Sequence, residues 1–81
     1  MNIVDIYMNN LRKEDIKNFA LKKDIRISNE ELELTYYFIK THYKEIMKDK
    51  YKYNFKDYEN RFSKENAENI NKLISEYINY L

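Results

Sequence analysis

Apolar residues recur at helical spacing along the middle of the chain, at intervals of four and three: Leu32, Tyr36, Ile39, Tyr43 and Ile46. Such a stripe is typical of one buried face of a helix. It follows Ser28-Asn29-Glu30-Glu31, a capping box in which the Ser28 hydroxyl accepts an amide hydrogen and Glu31 reaches back. We therefore predict a helix from Ser28 to about Lys48. Further apolar positions indicate that this helix is contacted from two sides: Leu34, Phe38 and Met47.

A second helical stripe occupies the last part of the sequence. Its apolar residues again repeat at three and four: Ala67, Ile70, Ile74, Tyr77 and Leu81. Ser63, directly before the stripe, is a residue type that favours the N-cap position. The pattern predicts a helix that begins after Ser63 and continues to Leu81.

The segments around these two helices have weaker patterns. Asn54 is expected to cap a short helix with Phe55, Tyr58 and Phe62 on one face. At the front, apolar turns are expected at residues 3–7. A helix from about Lys13 to Lys23 would bury three residues: Ile16, Phe19 and Ala20.

Residues 24–28 alternate between polar and apolar side chains, and we interpret them as a loop that packs Ile25 and Ile27. The sum is an all-α protein, a compact bundle or orthogonal array of four to five helices. At 81 residues the chain forms a single domain, 1–81.

Glycine, proline and cysteine are all absent from the sequence. Without glycine, neither a phosphate-binding loop nor a nucleophile elbow can be built. Without cysteine and with His42 as the single histidine, the usual thiolate and histidine metal sites are excluded. The composition therefore predicts a protein without cofactor or metal that is not an enzyme.

Charge and hydropathy favour a cytoplasmic protein. The 15 basic and 14 acidic residues are interleaved and give a net charge of +1, which argues against strong attraction to nucleic acid or anionic membranes. The first residues lack the basic region of a signal peptide, and Asp5 interrupts their apolar run. No apolar stretch approaches the ~20 residues that cross a bilayer, so no membrane association is expected.

The segment Leu11–Ala20, followed by Asp24-Ile25-Arg26-Ile27-Ser28 and a long helix, resembles a family of short uncharacterised proteins from low-GC Gram-positive bacteria, the bacilli and clostridia. The positions that match its layout are Ala20, Ile25, Ile27, Ser28, Phe55 and Ala67. The resemblance covers almost all of the chain, although Asp24 stands where a glycine would suit the turn. It implies a compact helical fold and no particular chemistry.

Three constellations have a functional and a structural interpretation, and the structural one is favoured for each. His42 has no activated nucleophile near it in the sequence, so it is expected to be a partly exposed helical residue. The acidic residues at 30, 31 and 33 match no ion-binding loop and suit a helix N-terminus. The same carboxylates would repel phosphates if the helix pair 13–48 served as a helix-turn-helix.

The segment 44–56 has five lysines against two acidic residues, with aromatic side chains between them. Lysines neutralise phosphates and tyrosines stack on bases, which suits RNA or single-stranded DNA. The alternatives are a protein contact or a solvated helix end. The candidate binding residues in this segment are Lys48, Lys50, Tyr51, Lys52 and Tyr53.

Nine tyrosines are more than one small core requires. Because tyrosine is apolar with a polar tip, it suits protein interfaces, and Tyr37 and Tyr80 are the candidates for exposed contact positions. The sequence thus favours a non-enzymatic helical interaction module that binds a protein partner or a second copy of itself. The alternative is an accessory protein that binds RNA or single-stranded DNA through segment 44–56.

Overall fold

The computed structural model describes residues 3–49 and 54–80, which form an all-α bundle. Its helices are α1 (Ile3–Asn9), α2 (Lys13–Lys22), α3 (Asn29–Lys48) and α4 (Lys64–Tyr80), with 3₁₀ turns at Phe55–Asp57 and Glu59–Arg61. The predicted fold class is confirmed, and the described residues contain no strand. None of the described helices is long and apolar enough to span a bilayer.

The start of α3 follows the predicted capping box. The Ser28 hydroxyl accepts the Glu31 amide hydrogen at 3.1 Å, and the Glu31 carboxylate accepts the Ser28 amide hydrogen at 2.8 Å. Glu31 is buried, and its other oxygen accepts a hydrogen bond from Asn69 of α4 at 3.2 Å. The cap that begins α3 therefore also joins α3 to α4.

The apolar faces of the four helices meet in one core. Its residues without any exposed surface are Met8, Ile16, Ile70, Leu73 and Ile74. Residues Ile16, Phe19 and Ala20 of α2 are buried as predicted, and so is Ile25 in the following loop. The core is built mainly where α4 packs on α3, with α2 covering a second side of α3.

Helix α1 forms where apolar turns are expected, but most of its apolar surface is exposed. Met8 is its buried residue, whereas Ile3 is 83% and Ile6 49% exposed. A two-turn helix offers the core only a narrow face, and the unbranched Met8 side chain occupies it. The consequence is an apolar surface on α1, which includes Tyr7 at its edge.

The segment after Asn54 forms two consecutive 3₁₀ turns instead of one short helix. The Asn54 side chain accepts the Lys56 amide hydrogen at 3.0 Å, as expected of a cap. Residues three apart share a side in 3₁₀ geometry, and the three rings still face one way. The distances from the Phe38 ring centre are 6.4 Å to Phe55, 5.0 Å to Tyr58 and 5.9 Å to Phe62.

The turn after α2 places Asp24 in the left-handed region, with φ of 55°. The turn is closed by a hydrogen bond of 2.8 Å from the Ile25 amide to the Ala20 carbonyl. This is the position at which a glycine would suit the turn, because a side chain costs energy at positive φ.

We expect Asp24→Gly to raise the free energy of unfolding by about 0.5–1 kcal/mol. Glycine removes the backbone strain that a Cβ atom causes at positive φ, and this gain exceeds the cost of glycine's greater conformational freedom in the unfolded chain. Urea denaturation monitored by circular dichroism measures the change. Asp24→Ala is the control and should lower stability, because alanine tolerates this conformation less well than aspartate. A glycine variant less stable than wild type would contradict this explanation.

Candidate functional site

An open groove between α1, α2 and α4 combines aromatic and polar side chains in a volume of about 430 Å³. Its aromatic residues are Tyr7, Phe19, Tyr77 and Tyr80. Its polar residues are Asp15, Asn18, Lys22 and Lys23. We refer to these eight residues as the aromatic groove. Its volume lies in the range of sites that hold a small molecule or a few side chains.

The rings of the aromatic groove pack on one another at its α2–α4 side. Tyr77 is buried and meets Phe19 edge-on, with ring centres 5.0 Å apart. Tyr80 lies 5.4 Å from Phe19 and 6.1 Å from Tyr77, yet 63% of it is exposed. A partly packed ring of this kind is held in place and still has most of its surface free for contact.

Two tyrosine hydroxyls meet within the groove. The Oη atoms of Tyr7 and Tyr77 are 2.7 Å apart, which joins α1 to α4. Burial raises the pKa of Tyr77 well above the ordinary tyrosine value, because the phenolate would lose its hydration, and the hydrogen bond to Tyr7 adds to the shift. The Tyr77 hydroxyl therefore stays protonated at neutral pH and acts as a hydrogen-bonding group.

The charges of the aromatic groove are not equally available to a ligand. The Asp15 carboxylate accepts the Arg12 amide hydrogen at 2.9 Å and so completes the first turn of α2. The Lys23 ammonium group lies 5.8 Å from the Phe19 ring centre. Neither Lys22 nor Lys23 forms a salt bridge with a described carboxylate. The groove thus presents two ammonium groups and one carboxylate beside its rings, an excess of one positive charge.

The two tyrosines predicted to be exposed occupy different surroundings. Tyr80 belongs to the aromatic groove, whereas Tyr37 is 59% exposed on α3 and lies 5.4 Å from the Tyr36 ring. The Lys13 ammonium group is 5.3 Å from the Tyr37 ring and binds Glu33 at 2.8 Å. The hydrogen bond to Glu33 raises the pKa of Lys13. Tyr37 therefore lies on a charged helix face, apart from the groove.

The lysine-rich segment is only partly within the described residues. Lys48 is the last residue of α3 and is exposed. The other candidate binding residues of this segment lie outside the described residues: Lys50, Tyr51, Lys52 and Tyr53. Their assignment stays a prediction.

His42 has a structural role between α3 and the second 3₁₀ turn. Its Nδ1 lies 3.1 Å from a Glu45 carboxylate oxygen, and its Nε2 lies 2.8 Å from Arg61 Nη1. Because a guanidinium group only donates hydrogen bonds, Nε2 accepts from Arg61, and Nδ1–H donates to the Glu45 carboxylate. The ring also packs on Phe38 and Tyr58. Both nitrogens are engaged within the protein, so the geometry favours the structural interpretation.

The acidic residues considered for ion binding are also engaged in the structure. Glu31 completes the α3 cap and Glu33 binds Lys13. Across residues 3–49 and 54–80, no three or more histidine or carboxylate side chains come together as metal ligands would.

Most of the aromatic groove was not predicted from the sequence, which singled out Tyr80 alone. Phe19 and Tyr77 were assigned to helix stripes that pack in the core, and both are indeed buried. The spacing of Phe19, Lys22 and Lys23 by three and four residues places them on one face of α2 and was a usable signal. Their proximity to Tyr80 depends on how α2 and α4 pack.

Comparison with known proteins does not add to this description: no known family, curated protein or solved structure matches the chain. The functional argument accordingly depends on the geometry and charge of the aromatic groove.

Proposed function

We propose that this protein is a non-enzymatic helical interaction module of the cytoplasm, and that the aromatic groove contacts a protein partner. The observation that carries the proposal is the position of Tyr80, which is 63% exposed while its ring rests against Phe19. A tyrosine with few rotatable bonds and a large free face is a typical centre of a protein interface.

The chemistry of the groove supports binding over catalysis. A general base or nucleophile needs an ionisable group that is free to exchange protons or attack. The Tyr77 hydroxyl stays protonated, and the Asp15 carboxylate is engaged by the Arg12 amide. His42 belongs to α3 and does not line the groove.

Self-association is a second form of the same function, and the exposed apolar surface of α1 favours it. Ile3 and Ile6 leave 83% and 49% of their surface uncovered next to Tyr7. Binding of RNA or single-stranded DNA by segment 44–56 is the alternative function. Its support is the exposure of Lys44, Lys48 and Lys56.

Photo-crosslinking inside the cells that make the protein tests the proposal. We replace Tyr80 with p-benzoylphenylalanine, which keeps an aromatic ring at the rim of the aromatic groove. Irradiation should yield one or a few adducts of defined mass, whose second component is a protein or a second copy of this chain.

The same replacement at Tyr37 is the matched control, because that residue is equally exposed and lies outside the groove. Adducts at position 80 with few at position 37 are the expected result. Absence of protein adducts at position 80, equal yields at the two positions, or adducts dominated by nucleic acid would each contradict the proposal.

A further inference from the structure

We infer that the aromatic groove binds an acidic peptide segment carrying one aromatic or large aliphatic side chain as its anchor. This inference depends on the proposed function and specifies the chemistry of the partner. It is carried by the exposed rings together with two lysines that outnumber the single carboxylate of the lining.

The first step is the charge that faces a ligand. Lys22 and Lys23 lie at the end of α2 and have no salt-bridge partner among the described residues. The carboxylate of the groove, Asp15, is engaged by the Arg12 amide at 2.9 Å. The lining therefore holds two ammonium groups against one carboxylate, and this excess of positive charge favours an anionic ligand over a cationic one.

The chain segment beside the groove also has a net positive charge. Between positions 17 and 26 the chain carries four basic residues, Lys17, Lys22, Lys23 and Arg26, against the single carboxylate of Asp24. This excess of positive charge equals that of segment 44–56, but here the basic residues are not interleaved with several aromatic residues. The aromatic partners come instead from α1 and α4.

The second step is the anchor. Tyr7 and Tyr80 are 39% and 63% exposed and offer ring surface to a groove of about 430 Å³, a volume that accommodates one large side chain together with flanking backbone. The exposed Asn18 side chain lines the groove and supplies an amide that can bind a peptide backbone group. Apolar contact at the rings with charge at the rim is the usual anatomy of a protein interface.

The third step separates this occupant from a second copy of the chain. The exposed apolar surface of α1 consists of Ile3 and Ile6, and the carboxylate between them, Asp5, already accepts a hydrogen bond from Tyr43 at 2.9 Å. That helix therefore offers its apolar side chains with a single carboxylate, held in place by Tyr43, whereas an acidic peptide brings several carboxylates to Lys22 and Lys23. An acidic segment of another protein complements both parts of the groove.

The test is a titration of the ¹⁵N-labelled full chain with synthetic peptides, monitored by NMR. The probe peptide has a tryptophan flanked on each side by two acidic residues. The comparison peptides replace either the tryptophan with alanine or the acidic residues with lysine. We expect the probe to shift resonances of Phe19, Lys22 and Tyr80, with affinity that falls from ~0.1 M to ~1 M salt as the Debye length shortens from ~10 Å to ~3 Å.

The variant Lys22→Gln/Lys23→Gln should bind the probe about three- to tenfold more weakly, the effect expected for two exposed ion pairs. Lys64→Gln/Lys72→Gln removes the same charge from exposed positions of α4 outside the groove lining and should leave the affinity unchanged. Tyr80→Ser should weaken binding of the probe and should have less effect on the alanine peptide. Wild-type-like spectra outside the groove show that the variants are folded.

The inference is overturned if the probe does not bind, if the lysine peptide binds as tightly, if the shifts lie away from the groove, or if concentration-dependent self-association fills it. These outcomes are separable from the proposed function. Protein adducts at position 80 that are insensitive to Lys22→Gln/Lys23→Gln would leave the interaction module standing and would remove the acidic partner.

Discussion

Replacement of Ile74 by alanine is expected to lower the free energy of unfolding by about 2–5 kcal/mol, the range for large-to-alanine changes in a core. Ile74 has no exposed surface and lies in α4, the helix with the most extensive packing on α3. A chain of 81 residues has a total stability of only ~4–12 kcal/mol. Urea denaturation followed by circular dichroism should show a greatly reduced midpoint, or an unfolded protein without denaturant.

The matched control is Ile3→Ala, the same change on a side chain that is 83% exposed. Its effect should be below about 0.5 kcal/mol, as for other exposed surface substitutions. If the two variants lost similar stability, the packing of α4 described above would be wrong.

Tyr77→Phe is expected to lower stability by about 1 kcal/mol at neutral pH and to lose this disadvantage at high pH. At neutral pH the variant lacks the hydrogen bond between the Tyr7 and Tyr77 hydroxyls. In the wild type, burial raises the pKa of Tyr77 above the unfolded value of ~10. The unfolded chain therefore releases a proton that the folded chain keeps, and wild-type stability falls as pH rises above 10.

The slope for one such proton is about 1.4 kcal/mol per pH unit, so the two stability curves should meet at about pH 11. Denaturation at several pH values between 8 and 12 measures both curves. Tyr37→Phe, which removes an exposed hydroxyl, should follow the wild type throughout. Parallel curves for Tyr77→Phe and wild type would show that the Tyr77 hydroxyl is not buried in solution.

Tyr43 contributes in the same direction and remains in the Tyr77→Phe variant. The hydrogen bond that its hydroxyl donates to Asp5 raises the pKa of Tyr43, since ionisation would break this bond. Stability should accordingly still fall above pH 10 in Tyr77→Phe, with a smaller slope. Adding Tyr43→Phe should reduce the slope again.

Local signals made α3 predictable from the sequence. The Ser28 cap and the stripe from Leu32 to Ile46 are short-range patterns, and α3 runs over Asn29–Lys48 as they indicate. The loop after α2 was predictable for a similar reason, because polar and apolar residues alternate over positions 24–28 and this pattern indicates that Ile25 is buried. The sequence also indicates that a glycine would suit the turn at position 24, and the structure shows Asp24 there with φ of 55°.

The aromatic groove and the 3₁₀ turns were less accessible, because both depend on contacts between distant residues. The 3₁₀ turns Phe55–Asp57 and Glu59–Arg61 form where the rings of Phe55 and Phe62 pack near Phe38, and nothing in residues 54–62 alone excludes an α-helix. Tyr77 reads as an ordinary core residue until Tyr7, 70 positions earlier, is placed beside its hydroxyl. Apolar residues are usually buried, so the exposure of Ile3 and Ile6 on α1 can be seen only from the packing of the helices.

The hydrogen bond between Tyr7 and Tyr77 joins α1 to α4, so it can form only after α4 has been synthesised. Protein synthesis proceeds from α1 to α4 at about 5–20 residues per second. Helix α4 supplies Ile70, Leu73 and Ile74 to the core, so α2 and α3 remain without this cover for a period on the order of seconds. During that interval the apolar stripe of α3 lacks its α4 cover, so chaperones that bind exposed apolar segments have access to it.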